Sequence, residues 1–371
     1  MTLAEIDFSK LKITKKINPT KFNDPNELPL GSISDHMVVI DYDSDFGWHD
    51  PEIIPTEDFK LDPAASVLHY AIECFEGMKA YKSKDGKSIR TFRPTENMNR
   101  LNNSSTRIAL PNFNGEEVIK IMDKWLEIDS KFIPINGHVY VRPNHIGINN
   151  CFGLKGPKRS RLYIIAAQSK SALNYDNFTP LKLYSNDSKS HVRAWPGGFG
   201  NTKLGANYGP TAVAEATCIE KGFDLTLWLF GENNIVTETG GSNLFISWIN
   251  DDGIKEVVTC PLSSNLILPG ITRKSVIQLL NLKGEKIVEK EFTIDDLIKA
   301  SKENRLLEAF ACGTYFFISP IGLIRPPKGN DIKIPTKINN QWGEISKYLF
   351  DNLSEIMWGN TTNHEWCHKI T

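Results

Sequence analysis

A stretch near the middle of the chain, GGFGNTKLGANYGPT (197–211), contains five glycines, two asparagines and a single lysine, Lys203. Glycine weakens the interior of helices and strands because it loses more backbone freedom on folding than any other residue. The chain must therefore turn tightly here, and regular structure must end before this loop and begin again after it. A solvated lysine does not need such a setting, whereas a lysine that approaches a bulky ligand does.

The segments on both sides of this loop predict a mixture of helices and strands. The first thirty residues contain three prolines and are predicted to form a loose arm. Residues 115–128 predict a helix, because Val118, Ile121, Met122 and Trp125 recur at three- and four-residue spacing and form one apolar stripe. The other predicted helices lie at 96–108, about 211–221, after the loop 268–270, and within 341–358. The predicted strands are 36–42, 88–94, 138–143, 161–167, 225–230, 235–239, 243–249, 255–259, 286–292, 306–314 and 316–324.

The length of 371 residues and the order of these elements predict two domains. The segment SKSALNYDNFTP (169–180) is polar and follows neither the helix nor the strand period, so it is interpreted as a linker. The predicted boundaries are 1–170 for a small N-terminal domain, 171–181 for the linker and 182–371 for a larger C-terminal domain. Clustered strands with helices outside them indicate an α+β fold in both domains.

Composition excludes several classes of function. The 43 basic and 44 acidic residues give a formal charge of −1, which argues against a nucleic-acid-binding protein. No apolar run reaches the length of a membrane span. The six cysteines are scattered and form no C-x-x-C, which is typical of reduced thiols inside a cell. A cytoplasmic location is therefore expected, with a mitochondrial location as the alternative.

Lys203 has two interpretations, a solvated loop residue or an amine nucleophile that forms a Schiff base with a carbonyl compound. Pyridoxal phosphate is the common carbonyl partner of such lysines. A protein that uses it needs the lysine, an anion-binding site for the phosphate and a charged partner for the pyridine nitrogen. The second interpretation therefore requires two further features in the sequence.

A phosphate site is predicted at LPGITRKS (268–275). Pro269 and Gly270 end the preceding structure, so the backbone N–H groups of Ile271 and Thr272 would open a helix and face an anion. The alternative is that Thr272 only caps this helix. Arg100 can pair with a phosphate through two nitrogens, or it can be an ordinary surface arginine on its helix.

Glu238, in NIVTETGGSNLF (234–245), is the candidate partner of the pyridine nitrogen. It lies at the end of a predicted strand, just before two glycines. A carboxylate beside the ring nitrogen keeps that nitrogen protonated, so that the ring can draw electrons from a substrate carbanion. The alternative is an exposed glutamate in a turn.

Taken together, seven segments closely resemble the branched-chain amino acid aminotransferases, pyridoxal-phosphate enzymes of fold type IV. The segments are FEGMKAY, RPTENMNRL, VYVRP, RAWPGGFGNTKLGANYGPT, TETGGSNLF, LPGITRKS and ACGTYF, and the resemblance runs in order from about Asp35 to His364. It implies an α+β fold of two domains, each with a mixed or barrel-like sheet and outer helices. It also implies a homodimer in which a loop of the partner completes each site.

The resemblance assigns roles to individual residues. Lys203 is similar to the Schiff-base lysine, Tyr208 to the tyrosine that bonds the ring hydroxyl, and Glu238 to the partner of the pyridine nitrogen. The residues similar to the family's phosphate ligands are Arg100, Ile271 through its backbone, Thr272 and Thr314. The residues similar to those of the substrate pocket are Tyr70, Tyr140, Arg142 and, in the linker, Tyr175.

Two departures from the family pattern concern the segment after Thr314. Animal relatives carry a C-x-x-C there, whereas the corresponding positions in this chain run from Phe316 to Ser319, so a thiol switch of that kind is not expected. Tyr315 stands where a small residue is usual, which predicts a narrower pocket at that point.

The predicted activity is transfer of the amino group of leucine, isoleucine or valine to 2-oxoglutarate, with two half-reactions at one site and hence ping-pong kinetics. A D-amino acid aminotransferase, an aminodeoxychorismate-lyase-like enzyme of the same fold and a catalytically inactive binding protein are alternatives. A remote alternative is a zinc hydrolase, because HEWCH (364–368) matches H-E-x-x-H, a motif that binds zinc when it lies on a helix. No metal is otherwise expected.

Overall fold

The computed structural model describes residues 3–150, 152–169, 178–186, 188–315, 317–361 and 364–370. The chain divides into two compact units. Unit 1 contains Met1–Leu173, Lys203–Gly205 and Ser354–Thr371, and unit 2 contains Asn174–Thr202 and Ala206–Leu353. The predicted linker 171–181 lies largely outside the described residues, and the described part includes Leu181, which begins a strand.

The helices and strands are numbered in chain order. The α-helices are α1 Ser66–Tyr70, α2 Pro94–Arg107, α3 Gly115–Ile128, α4 Ala212–Glu220, α5 Ile271–Lys283, α6 Ile294–Lys302 and α7 Glu344–Met357. The strands are β1 Lys12–Ile13, β2 His36–Asp43, β3 Gly47–Trp48, β4 Glu52–Pro55, β5 Glu73–Phe75, β6 Met78–Lys82, β7 Ile89–Phe92, β8 His138–Gly147, β9 Arg159–Gln168, β10 Leu181–Ser185, β11 Leu225–Phe230, β12 Ile235–Thr239, β13 Ser242–Ile249, β14 Lys255–Thr259, β15 Ile287–Glu289, β16 Leu306–Gly313, β17 Phe317–Arg325, β18 Ile332–Lys333 and β19 Cys367–Lys369.

Unit 1 is built on a sheet with the strand order β1-β4-β2-β9-β8-β6-β7-β19, with β3 paired to β2 and β5 paired to β8. The long strands β8 and β9 are antiparallel neighbours at its centre. Helix α3 has the predicted bounds, and the residues of its apolar stripe are all fully buried. The indole nitrogen of Trp125 donates to the backbone oxygen of His36 at 2.8 Å, which ties this helix to β2.

The prediction of a loose N-terminal arm is wrong. Strand β1 pairs with β4, and the carboxylate of the buried residue Asp35 accepts hydrogen bonds from Lys16 Nζ at 3.0 Å and from the hydroxyl of Thr20 at 2.6 Å. Burial opposes ionisation of Asp35, but the bonds from Lys131, Thr20 and Lys16 outweigh it and lower the pKa of this carboxyl group. The arm with its three prolines is thus fastened to the sheet by strand pairing and hydrogen bonds.

Unit 2 contains a closed barrel, which confirms the expected barrel-like sheet. Six strands follow the order β12-β11-β10-β17-β16-β13, and β13 pairs with β12 to close the ring. Closure removes the free edges that an open sheet would expose. The barrel encloses an apolar core that includes Leu183, Leu227, Ile246 and Ile321, each fully buried. Strands β14 and β15 extend the sheet from β13, and β18 pairs with β17.

The C-terminal HEWCH segment does not form the helix that a zinc motif needs. Residues Cys367–Lys369 form β19, which pairs antiparallel with β7. His368 Nε2 lies 2.6 Å from Asp123 Oδ2, while the ring of His364 packs edge-on against Trp366. Among the described residues, no group of metal-ligating side chains is arranged to hold an ion. The zinc-hydrolase alternative is therefore wrong in its geometry, because the two histidines do not share a helix face.

Two predictions about sequence-wide features can be compared with the described residues. The five cysteines among them, which exclude Cys151, carry free thiols, and four of the five are buried. No helix in the described part of the chain combines the length and the apolar character that a bilayer crossing requires.

Candidate active site

Lys203 is fixed through its backbone by two elements of unit 1. Its N–H donates to the hydroxyl of Ser104 on α2 at 2.9 Å, and its carbonyl accepts from the N–H of Phe75 on β5 at 3.0 Å. A further bridge joins Leu204 to Cys74. The glycine-rich loop therefore holds its lysine in a defined place, as a strand-like partner of β5, and does not leave it free in solvent.

The amine of Lys203 has an unusual electrostatic setting. Its Nζ lies 4.9 Å from the centre of the Phe75 ring. Burial and, second to it, the positive charge of Arg100 together lower the pKa of this amine to about 8, although the negative charge of Glu76 opposes the shift. A lysine with such a pKa exists partly as a neutral amine near neutral pH, which is the form that acts as a nucleophile or a base.

Arg100 is bound by a buried carboxylate. Its Nε donates to Glu76 Oε1 at 2.6 Å and its Nη2 donates to Glu76 Oε2 at 2.8 Å, so the two groups form a two-point pair. Asn97 Nδ2, on the same helix, donates to Glu76 Oε2 at 2.7 Å. Burial of Glu76 would raise its pKa, but Arg100 and these hydrogen bonds outweigh that cost and lower the pKa. Arg100 is therefore not the ordinary surface arginine of the alternative interpretation.

Two predicted substrate residues, Tyr140 and Arg142, lie on the same face of β8, because side chains two apart on a strand point the same way. The guanidinium carbon of Arg142 is 4.6 Å from the centre of the Phe75 ring and 5.0 Å from that of Tyr140. A Cβ at position 77 would collide with the hydroxyl of Tyr140, so this close packing requires Gly77. The structure thus brings Tyr140, Arg142, Phe75 and Lys203 together within unit 1.

Of the other two predicted substrate residues, the structure describes Tyr70 but not Tyr175. Tyr70 ends the short helix α1, and the next residue, Ala71, adopts the left-handed conformation with φ of 49°. Its ring lies near that of His69, with 6.1 Å between the ring centres. Tyr175 lies outside the described residues, so its role in the substrate pocket stays a prediction.

Glu238 lies inside unit 2 and is 1% exposed. It is the penultimate residue of β12, and the hairpin through Gly240 and Gly241 places it opposite Asn243 on β13. Its Oε1 accepts from Asn243 Nδ2 at 3.0 Å and from the backbone N–H of Leu268 at 3.1 Å. Its Oε2 forms an ion pair with Arg193 Nη1 at 2.9 Å. The alternative of an exposed turn glutamate is therefore wrong.

Tyr208 lies in the part of the glycine-rich loop that belongs to unit 2. The guanidinium carbon of Arg193 is 5.9 Å from the centre of its ring. The preceding residue, Asn207, donates through Nδ2 to the carbonyls of Phe199 at 2.6 Å and Thr202 at 2.9 Å, which ties the two ends of the loop. The loop is thus internally braced before and after Lys203.

The predicted phosphate site forms at the start of α5. Gly270 is the N-cap residue of this helix and provides no side-chain cap, and Ile271 and Thr272 occupy the first turn. A Cβ at position 270 would collide with Asn243 Oδ1, so any larger residue there would displace the Asn243 side chain. The free backbone N–H groups and the positive end of the helix dipole favour an anion at this place. The structure supports the helix start that the sequence predicted.

Thr314 follows β16 directly. Two residues earlier, Cys312 pairs with Asn243 in the ladder between β16 and β13. The side chain of Asn243 bonds Glu238 and, at 3.0 Å, the backbone oxygen of Leu268, so one residue connects the end of β16, Glu238 and the approach to α5. Tyr315, the residue that predicted a narrower pocket, has a side chain that is 60% exposed.

The sequence profile of a family described as amino-transferase class IV matches residues 73–324, a range that includes Glu76, Lys203 and Glu238. The chain belongs to the class IV aminotransferases.

Curated relatives of this aminotransferase match it over nearly its whole length. It is 42% identical over 366 residues to the branched-chain-amino-acid aminotransferase of Dictyostelium discoideum, covering 97% of this chain and 95% of that protein. It is 40% identical over 379 residues to the cytosolic branched-chain-amino-acid aminotransferase of Saccharomyces cerevisiae, covering 100% and 99% of the two chains. Such identities over full length extend the family assignment to the whole chain.

Solved structures support the fold of the aminotransferase. The branched-chain aminotransferase of Thermoproteus uzoniensis with norvaline superposes with a TM-score of 0.72 at 23% identity, covering 91% of this chain and 100% of that one. The branched-chain amino acid aminotransferase of Escherichia coli gives a TM-score of 0.71 at 22% identity, covering 86% and 97%. At these identities the likeness shows the fold alone, and it confirms the expected two-domain α+β class.

Sequence reasoning missed the residues that support the predicted site of the aminotransferase. Glu76, Arg193 and Asn243 are each buried and each contacts a predicted site residue or its partner. All three lie inside the quoted motifs FEGMKAY, RAWPGG and TETGGSNLF. The available signal was that a buried arginine or glutamate needs an opposite charge, but the partner is distant in sequence and only the fold identifies it.

Proposed function

We propose that this class IV aminotransferase transfers the amino group of leucine, isoleucine or valine to 2-oxoglutarate, with pyridoxal 5'-phosphate attached to Lys203. The observation that carries the proposal is the buried lysine amine with a pKa of about 8, placed beside Arg100, Glu76 and Phe75. The substrate class is supported by the 42% identity to a relative named branched-chain-amino-acid aminotransferase.

The described residues fit this cofactor in three respects. A lysine amine that is partly neutral can form the covalent bond. A buried carboxylate, Glu238, is available for a protonated ring nitrogen. The start of α5, where a Cβ at position 270 would displace the Asn243 side chain, offers backbone donors and Thr272 to a phosphate. Arg100 and Thr314 are the further proposed phosphate ligands, and Tyr208 is the proposed ligand of the ring hydroxyl.

When bound, pyridoxal phosphate supplies an electron-accepting ring that stabilises negative charge on the substrate's α-carbon. The chain's own part in the chemistry is proton transfer. As a neutral amine, Lys203 would take the proton from the α-carbon, and its pKa of about 8 suits a base that works near neutral pH. Glu238 accepts the hydrogen bond of the ring nitrogen and so keeps its proton in place.

The substrate pocket must accept an aliphatic side chain in one half-reaction and a carboxylate in the other. Phe75 and Tyr140 offer apolar ring faces, and the hydroxyl of Tyr140 is a polar tip. Arg142 lies against both rings and can pair with a carboxylate through its guanidinium group. This combination suits both leucine and 2-oxoglutarate.

The proposed assembly is a homodimer. Phe152 and Leu154, on the segment between β8 and β9, are 75% and 86% exposed, and exposed large apolar side chains close together favour a protein contact. Sedimentation velocity tests the assembly, and a monomer at micromolar concentration would contradict it. The cytoplasmic location stays a prediction, because the relatives include proteins named cytosolic and mitochondrial.

The experiment for the function follows the absorbance of purified protein before and after leucine and then 2-oxoglutarate are added. We expect a visible band that leucine removes and 2-oxoglutarate restores, with glutamate as the product. D-Leucine in place of leucine, and leucine without the oxo acid, test the D-specific and lyase alternatives. Lys203→Ala should lose the band and the transfer, whereas Lys82→Ala, which removes another partly buried lysine of unit 1, should keep both. Transfer by Lys203→Ala would overturn the proposal.

A further inference from the structure

Arg193 lies in the segment between β10 and the glycine-rich loop and is 8% exposed. Its guanidinium contacts two residues of unit 2 that are proposed to hold the cofactor ring. Nη1 forms an ion pair with Glu238 Oε2 at 2.9 Å, and the guanidinium carbon lies 5.9 Å from the centre of the Tyr208 ring. A single buried cation is thus shared by the proposed partner of the ring nitrogen and the proposed partner of the ring hydroxyl.

The two oxygens of Glu238 have different kinds of partner. Oε1 accepts from two neutral groups, Asn243 Nδ2 and the backbone N–H of Leu268. Oε2 faces the charged group of Arg193. Neutral donors orient a carboxylate, but a cation is what offsets the cost of burying its charge. Arg193 supplies this charge to a side chain that is 1% exposed.

The other titratable groups close to Glu238 do not take over this role. Burial raises the pKa of the Cys260 thiol to about 11 and raises that of the Cys312 thiol, so both stay neutral at physiological pH. Arg273 donates to the backbone oxygen of Cys260 at 2.9 Å and to Glu289 Oε2 at 2.6 Å. Its charge is therefore already matched by another carboxylate.

We propose that Arg193 is a positioning residue that keeps Glu238 ionised, so that Glu238 accepts a hydrogen bond from the protonated ring nitrogen, and that the same guanidinium supports the ring of Tyr208. This inference rests on the proposed function. A cation in direct contact with the carboxylate stabilises the carboxylate more than it destabilises a second cation beyond it, because the Coulomb energy falls with distance. Without Arg193, a buried Glu238 would take up a proton and become a donor to a neutral ring nitrogen.

The test compares Arg193→Gln with Arg193→Lys, using cofactor labelled with ¹⁵N at the pyridine nitrogen. In the wild type and in Arg193→Lys, which keeps the charge, we expect the nitrogen resonance of a protonated pyridine. In Arg193→Gln it should move toward that of neutral pyridine. The rate of the leucine half-reaction should fall on the order of 10–100-fold in Arg193→Gln, as is usual when a group that supports a ligand-contacting side chain is lost.

Arg305→Gln is the matched control. Arg305 is a partly buried arginine of unit 2 that pairs with Asp251 at 3.0 Å and contacts no proposed site residue among the described contacts. Its replacement should change neither the nitrogen resonance nor the half-reaction rate. A wild-type resonance in Arg193→Gln would overturn the inference, and so would a neutral-pyridine resonance in Arg193→Lys.

If Arg193→Gln does not retain the cofactor, Arg193→Ala with added guanidinium ion decides the question. Restored cofactor loading by guanidinium, and not by sodium at equal ionic strength, supports the role of the missing cation, whereas no restoration overturns it. These outcomes are distinct from failure of the proposed function, which would show as wild-type protein with no cofactor on Lys203 after borohydride reduction and peptide mass analysis.

Discussion

Glu76 of unit 1 and Glu238 of unit 2 are buried glutamates with the same three kinds of partner, and the two sites differ in how the arginine is used. In unit 1, Glu76 binds Arg100, Asn97 and the backbone N–H of Gly77. In unit 2, Glu238 binds Arg193, Asn243 and the backbone N–H of Leu268. Arg100 donates two hydrogen bonds to Glu76, at 2.6 and 2.8 Å, whereas Arg193 forms an ion pair with Glu238 through one nitrogen, at 2.9 Å.

This difference indicates which member of each pair faces the chemistry. In unit 1 the carboxylate of Glu76 positions the arginine, since both of its oxygens accept hydrogen bonds from Arg100, the proposed phosphate ligand. In unit 2 the roles are reversed: Arg193 positions the carboxylate of Glu238, which is the proposed cofactor ligand. Buried ion pairs are weak sources of stability because desolvation costs about as much as attraction returns. Their presence here is better explained by positioning than by stability.

The largest expected effect is the loss of the unit 1 carboxylate. Glu76→Ala leaves Arg100 buried without this counter-charge, and breaking such a pair costs about 3–5 kcal/mol of folding free energy. Denaturant unfolding of cofactor-free protein, with Glu57→Ala at an exposed position of unit 1 as the control, measures it. A loss of folding free energy below about 1 kcal/mol would show that Glu76 and Arg100 do not form a buried ion pair in solution.

The second prediction compares the two asparagines. Asn97→Ala and Asn243→Ala each remove one neutral donor from a buried carboxylate, and each should cost about 1–3 kcal/mol. Asn243→Ala should also weaken cofactor binding, because Asn243 joins Glu238 to the backbone at Leu268, just before α5. Unfolding curves and the dissociation constant of pyridoxal phosphate measure the two effects. Equal cofactor affinity in Asn243→Ala and wild type would contradict the link between Glu238 and α5.

The smallest effect concerns the titration of Lys203. Glu76 raises the pKa of this amine, while burial and Arg100 lower it to about 8. Glu76→Gln removes the negative charge, so the ammonium form becomes less stable and the pKa should fall below about 8. The pH dependence of trinitrobenzenesulfonate labelling of Lys203 in cofactor-free protein, read by peptide mass analysis, measures this midpoint.

The reactivity of Lys79 provides an internal reference in the same samples, because burial also lowers its pKa to about 8. Glu76 is not among the causes of the shift at Lys79, so its midpoint should stay unchanged. If the Lys203 midpoint rises in Glu76→Gln, Glu76 does not stabilise the ammonium form of Lys203. That result would also contradict the proposed role of the Glu76–Arg100 pair.

Local sequence patterns predicted the elements whose determinants are near neighbours along the chain. Helix α3 has the predicted bounds because its apolar stripe and its cap at Asn114 are contained within one segment. The hairpin at Gly240 and Gly241 and the glycine-capped start of α5 were predictable for the same reason. The resemblance of the motifs to a known family then supplied the roles of Lys203, Glu238 and the other site residues, which remain predictions for this chain.

What the sequence by itself determined was therefore the local structure, the fold class and the family of the chain. Only the tertiary structure decided that Glu76 binds Arg100, that Arg193 binds Glu238, that Asp35 fastens the N-terminal arm, and that HEWCH ends as a strand on β7. Arg193 and Glu238 are far apart along the chain, and no periodic pattern connects them. A charged side chain needs a partner only if it is buried. The sequence shows which residues are charged, but the packing of the chain decides which of them are buried and what they contact.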